Sequence, residues 1–120
     1  MENVAYIESH DINDDVSLKR HVGKGRPVII MGTASFCGHC TDAKPAFEEF
    51  AASTRDVVAA TIVSDGESPQ KIAALNFTKW DPGYLGVPAY FGFSSNGKFK
   101  AVHDSGRTFA DLLTFANTLS

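Results

Sequence analysis

The chain has 120 residues, 43% of them hydrophobic and nine of them Phe, enough for one domain whose core needs no cross-links. A net charge of −3 leaves no basic face for nucleic acid or an anionic membrane, and the longest apolar runs are too short to span a bilayer. The opening segment "MENVAYIESHDIND" has neither the basic start nor the apolar core of a signal peptide, so a cytoplasmic, monomeric protein is expected.

In chain order, Val4 to Glu8 is a short mixed apolar run that suits a strand. Asn13 can cap a helix running to about Val22, and "GKG" at Gly23 to Gly25 would end it. "PVIIMGT", Pro27 to Thr33, is a continuous apolar run with β-branched residues, the pattern of a strand buried on both faces. The next segment is helical by period. Cys40, Ala43, Phe47, Phe50 and Ala51 recur at spacings of three and four and form one apolar stripe.

"DVVAATIVS", Asp56 to Ser64, reads as a second buried strand. Ser68 with Pro69 just inside starts another helix, whose apolar positions are Ile72, Leu75 and an alanine pair. "WDPGYLG" is a loop rich in turn formers. "VPAYFGFSSNGKFKAVH" reads as a hairpin, because Asn96-Gly97 suits the positive φ values of a tight turn. Thr108 caps the last helix, with Asp111 in its first turn and Phe109, Leu112, Leu113, Ala116 and Leu119 as its buried stripe. Alternating strands and helices followed by a hairpin imply an α/β fold, a mixed central β-sheet sandwiched by helices in three layers. No linker or repeat divides residues 1–120, so a single domain is expected.

Both cysteines lie in "TASFCGHCTDAKPAF", where the first buried strand gives way to a helix. A structural staple is a poor reading, since closing so short a loop removes little chain entropy. Zinc within one chain lacks a second Cys or His pair at suitable spacing, so no metal is expected, although a site shared between two chains stays open. A redox pair fits better. Free N–H groups and the helix dipole at the helix start favour a thiolate at Cys37. Cys40, one turn in, heads the apolar stripe and points toward the core. Such asymmetry suits Cys37 as nucleophile and Cys40 as the thiol that resolves the mixed disulfide. His39 between them can favour the thiolate and so make the disulfide more oxidising. His10, His21 and His103 carry no motif and read as surface residues.

With these residues in place the chain resembles the thioredoxin family over roughly Val4 to Leu119. "FCGHC", Phe36 to Cys40, resembles the active-site segment, and its inner Gly38-His39 matches the protein disulfide isomerase type. Pro45 matches the proline of the family's active-site helix, where it removes the hydrogen bond to the Thr41 carbonyl and bends the helix. "GVPAYFGFSSNGK", Gly86 to Lys98, resembles the family's later strand and hairpin. That match implies a cis bond between Val87 and Pro88, lying against the cysteines, with the Val87 backbone free to pair with an extended substrate.

The resemblance implies a thiol–disulfide oxidoreductase that acts on protein disulfides and needs no cofactor beyond its own Cys37–Cys40 disulfide. Phe36, Gly38, Val87 and Pro88 would contact substrate, and a separate reductase would recycle the pair. The alternative is a non-catalytic binding module. Two departures stand out. The family places a buried acid six positions before the first cysteine, where this chain has Met31, and its tryptophan is Phe36 here. The segment from Gly66 to Leu85 also looks longer than its thioredoxin counterpart, and its Trp80 and Tyr84 are expected either to shape the substrate rim or to pack the added helix.

Overall fold

The computed structural model describes Met1–Ser120. Five strands and five α-helices follow one another as β1 (Ala5–Tyr6), α1 (Arg20–Gly23), β2 (Val28–Thr33), α2 (Gly38–Ser53), β3 (Val58–Val63), α3 (Ser68–Ala74), α4 (Phe77–Trp80), β4 (Ala89–Phe93), β5 (Phe99–His103) and α5 (Phe109–Ala116). A 3-10 turn at Ser9–Asp11 precedes α1.

All strands join one sheet in the order β1-β3-β2-β4-β5. β2 runs parallel to β3 and antiparallel to β4, which returns through β5. The two apolar runs therefore become the central strands, and every residue of β2 is buried. Strand side chains alternate between faces, so the sheet has two cores. One face carries Ile29, Met31, Ala59 and Tyr90 beneath α2 and α5. The opposite face carries Val28, Ile30, Ala60, Ile62, Phe91 and Phe93 beneath α3, α4 and the chain around Ile7, Ile12 and Leu18. No helix is long and apolar enough to cross a membrane.

Several local expectations are corrected. No helix runs from Asn13 to Val22. Ile12 and Leu18 form an antiparallel bridge, with a tight excursion between them in which Val16 has φ +65°. Asp15 accepts from the Ser17 amide and hydroxyl, and Asn13 donates to Ser17, so these short polar side chains hold the backbone in a turn and leave only Arg20–Gly23 helical. Lys24 and Gly25 then close α1 with positive φ.

The segment after β3 is two short helices. Glu67, not Ser68, is the N-cap of α3, and Ala73 is the side chain it buries. Ile72 and Leu75 point outward, because α3 approaches the sheet through its small alanine face. In α5, Leu113 is exposed and Phe115 takes its place in the core, while Leu119 is buried just past the helix end. The hairpin turns through three residues, Ser95 to Gly97, between paired Ser94 and Lys98. Only Gly97 has positive φ, +86°, and a Cβ there would strike the Leu18 carbonyl. A glycine is therefore required by conformation and by space alike. Thr108 caps α5 as expected, and Asp111 in its first turn completes a capping box with it.

Candidate active site

Two loops meet where β2 ends and the antiparallel β4 begins. The chain leaves β2 at Thr33, and Cys37 becomes the N-cap of α2 with φ −92° and ψ 110°. Its Sγ accepts a hydrogen bond from the Cys40 amide at 3.0 Å, meeting one of the free N–H groups that every helix start presents. Cys37 and Cys40 are joined as a disulfide. The two sulfurs differ in surroundings. Cys37 is half-buried, whereas Cys40 is fully buried at the head of a stripe continued by Ala43, Phe47 and Phe50. Pro45 lies inside α2 on its solvent side.

The second loop brings Val87 and Pro88 to the pair. The bond between them is cis, and the Val87 carbonyl oxygen lies 3.6 Å from Cys37 Sγ. Neither the Val87 N–H nor its carbonyl is taken by another backbone group. Phe36, next to Cys37 in the chain, and Leu85, two residues before Val87, have side chains almost wholly in solvent, at 81% and 101% exposure. Gly38 and His39 are also exposed. His39 borders a shallow depression with Asp42, Ala43, Arg107 and Thr108. Beside Pro88 a cavity of about 250 Å³ is lined by Tyr84, Leu85, Tyr90, His103 and Arg107 among others. All seven residues singled out in the sequence thus gather at one end of the sheet.

Other placements were not foreseen. Asp65, in the loop after β3, accepts from the Ser35 amide at 2.9 Å and from the Ser35 hydroxyl. These bonds tie down the turn that delivers Cys37, and they hold the Asp65 carboxyl below its ordinary pKa. Nothing local in the sequence links positions thirty residues apart. His103 is a buried residue rather than a surface one. It stacks on Phe115 with ring centroids 4.6 Å apart, and its Nε2 lies 2.7 Å from the Gly106 carbonyl. His10 and His21 are exposed and gather around Asp11, with His21 Nε2 at 2.6 Å. Trp80 is part of the core of the far face, donating from Nε1 to the Val16 carbonyl at 2.8 Å, so it takes no part in the rim. Tyr84 does reach the cavity beside Pro88. No three His, Cys, Asp or Glu side chains converge as a metal site would require.

No family model matches the chain. It is 28% identical over 125 residues to a putative thioredoxin-like protein, 453L, of Invertebrate iridescent virus 6, covering 93% of this chain and 91% of that protein. It is 29% identical over 110 residues to protein disulfide-isomerase erp38 of Neurospora crassa, and there it spans 28% of the relative's length. Among solved structures, the first thioredoxin domain of mouse protein disulfide-isomerase A4 superposes with a TM-score of 0.69 at 20% identity, over 98% of this chain and 76% of that one. The short form of spinach chloroplast thioredoxin F gives 0.67 at 18% identity, over 97% and 92%. The chain thus has the thioredoxin fold, carries the Cys37–Cys40 pair at its active-site position, and is similar in sequence to a thioredoxin-like protein and a protein disulfide-isomerase.

Proposed function

We propose that this protein is a thiol–disulfide oxidoreductase that reduces protein disulfides through a mixed disulfide at Cys37. The observation that carries the reading is the unequal setting of the two sulfurs. Cys37 is half-buried at a helix N-terminus, and Cys40 is sealed beneath it. A helix start stabilises a thiolate at Cys37, and the thiolate is the attacking species. Cys37 attacks one sulfur of a client disulfide and releases the other as a thiol. Cys40 then attacks Cys37 Sγ, re-forms the internal disulfide and frees the second client sulfur.

The free N–H and carbonyl of Val87 suit an extended client strand laid against Pro88, with exposed Phe36 and Leu85 offering apolar contact. Gly38 adds no side chain to obstruct that approach. His39 sits beside the pair and raises the potential above the value of about −270 mV typical of thioredoxin. In a reducing cytoplasm the pair rests as the dithiol, is regenerated by a separate reductase, and makes the protein a reductant.

A turbidity assay of insulin reduction by dithiothreitol tests this directly. The protein is expected to accelerate precipitation, and the Cys37→Ser variant is expected to lose the effect. A Cys40→Ser variant should retain clients as mixed disulfides at Cys37. The binding-module reading is favoured by the apolar, acid-free setting of Cys40. It would be upheld by no acceleration and no trapped clients.

A further inference from the structure

Cys40 has to lose a proton to act, yet its side chain is fully buried. Burial among apolar groups keeps a thiol protonated. The core on that face offers it little help. Met31, Ala43, Phe47, Phe50, Ala59, Leu112 and Phe115 have no group that could bear or stabilise charge.

By strand alternation three hydroxyls lie on the same face, those of Thr33, Thr61 and Tyr90. Two are already engaged. Thr61 Oγ1 donates to the Met31 carbonyl at 2.7 Å. Thr33 Oγ1 lies 3.4 Å from Thr61 Oγ1, and with the Thr61 proton committed, Thr33 is the donor of that pair. Tyr90 is different. It is 3% exposed, and its Oη meets no protein partner. A buried hydroxyl left unmatched is costly and calls for a reason.

Its place in the fold suggests one. Tyr90 is the direct cross-strand partner of Met31 and follows Val87 by three residues, so it lies at the cysteine end of β4. Its ring packs on Phe47 at 6.0 Å, on the stripe that Cys40 begins. We infer that the Tyr90 hydroxyl is a positioning group for Cys40, donating its O–H directly or through one water to the thiolate as it forms. The inference rests on the disulfide-exchange reading above.

The step balances within the exchange itself. The Cys40 proton passes to solvent, and the thiolate attacks Cys37 Sγ. The bond between the two protein sulfurs forms as the bond from Cys37 to the client sulfur breaks. The client leaves as a thiolate and takes up a proton. The protein pair is oxidised and the client reduced, with no further reagent.

The phenol keeps its own proton. Burial pushes the Tyr90 pKa up to about 12, with nearby Arg107 opposing weakly, so it is a donor rather than a base where thiols titrate. The charged and titratable groups on its cavity side are Asp81, Tyr84, His103, Asp104 and Arg107, with His103 of β5 facing its ring at 6.0 Å and Asp111 of α5 near His103. From α2, His39 and Asp42 reach only the neighbouring depression, and β2 contributes none.

Tyr90→Phe tests the inference while keeping the ring. In the reduced protein, the pH dependence of alkylation at Cys40 is expected to shift upward by about one unit, the size of a charge-assisted hydrogen bond. With glutathione loaded on Cys37 as a model client, its release by Cys40 near neutral pH should slow about threefold, the roughly tenfold smaller thiolate fraction being partly offset by a more nucleophilic thiolate. Cys37 alkylation should not change, and thermal stability should be equal or higher, since an unmatched hydroxyl has been removed.

An unchanged Cys40 profile in Tyr90→Phe overturns the inference. So does a shift produced by Thr61→Val and not by Tyr90→Phe. Failure of the wild-type protein to reduce insulin counts against the exchange reading, and the Cys40 alkylation profile still decides this inference separately.

Discussion

The two faces of the sheet are built to different rules. Beneath α3 and α4, Phe77 stacks on Phe91 at 5.1 Å, Trp80 meets Phe93 edge to face at 5.0 Å, and Tyr84 closes on Phe77 at 5.4 Å. The indole N–H there has its acceptor, and no buried side-chain polar atom goes unmatched. Beneath α2 and α5 the core also has aromatic rings, but it holds Cys40, a threonine pair and an unmatched tyrosine hydroxyl. Both faces are apolar cores, but only the second also carries a buried sulfur and buried hydroxyls. Glycine marks a tight approach on each side. A Cβ at Gly32 would strike the Phe77 ring, and one at Gly92 would strike Phe115 and Leu119.

The contrast can be broken most forcefully from the aromatic side. Phe91→Ala removes a fully buried ring between Phe77 and Trp80, with an expected loss of about 3–5 kcal/mol in urea unfolding. Insulin reduction per folded molecule should hardly change, because the ring faces away from Cys40. A large loss of activity without loss of fold would show that the two faces are not separable.

A smaller effect is expected on the cysteine side. Thr108→Ala removes the hydroxyl that accepts from the Asp111 amide at 3.1 Å, costing about 1 kcal/mol of stability by thermal unfolding. The variant should keep its activity, since α5 supports this face from beneath.

The mildest test is pH. The carboxyls of Asp65 and Asp111 are both held below their ordinary value, mainly by bonds from Ser35 and Thr108. A depressed carboxylate contributes stability that is present above its unfolded pKa, near 3.8, and is lost as pH falls through the lower folded value. The Tm difference between wild type and Asp65→Ala should therefore be constant near neutrality and shrink below about pH 4. A difference that persists undiminished in acid would mean that the Ser35 bonds do not depend on the charge.

Much of this was legible in the chain. The runs Pro27 to Thr33 and Asp56 to Ser64 become the central strands because continuous β-branched sequence is stable only where both faces are covered. Cys40, Ala43, Phe47 and Phe50 share a helix face because their spacing follows the helical period. The Thr108 and Asp111 box needs only a four-residue window. Asn13 to Val22 misled because Asp15, Asn13 and Ser17 bind one another and the backbone more effectively than a helix could use them. Ile72 and Leu75 misled because hydrophobicity does not say which face of a short helix meets the sheet.

The sequence by itself determined where the cysteines stand, which of them heads an apolar stripe, and which runs must be buried. These are local properties of period and composition. Only the tertiary structure decided that Val87 would lie against Cys37, that Asp65 would secure Ser35, and that Tyr90 would stand opposite Met31. Strand register sets those meetings between residues thirty to sixty positions apart, and a one-residue slip would turn Tyr90 to the other face.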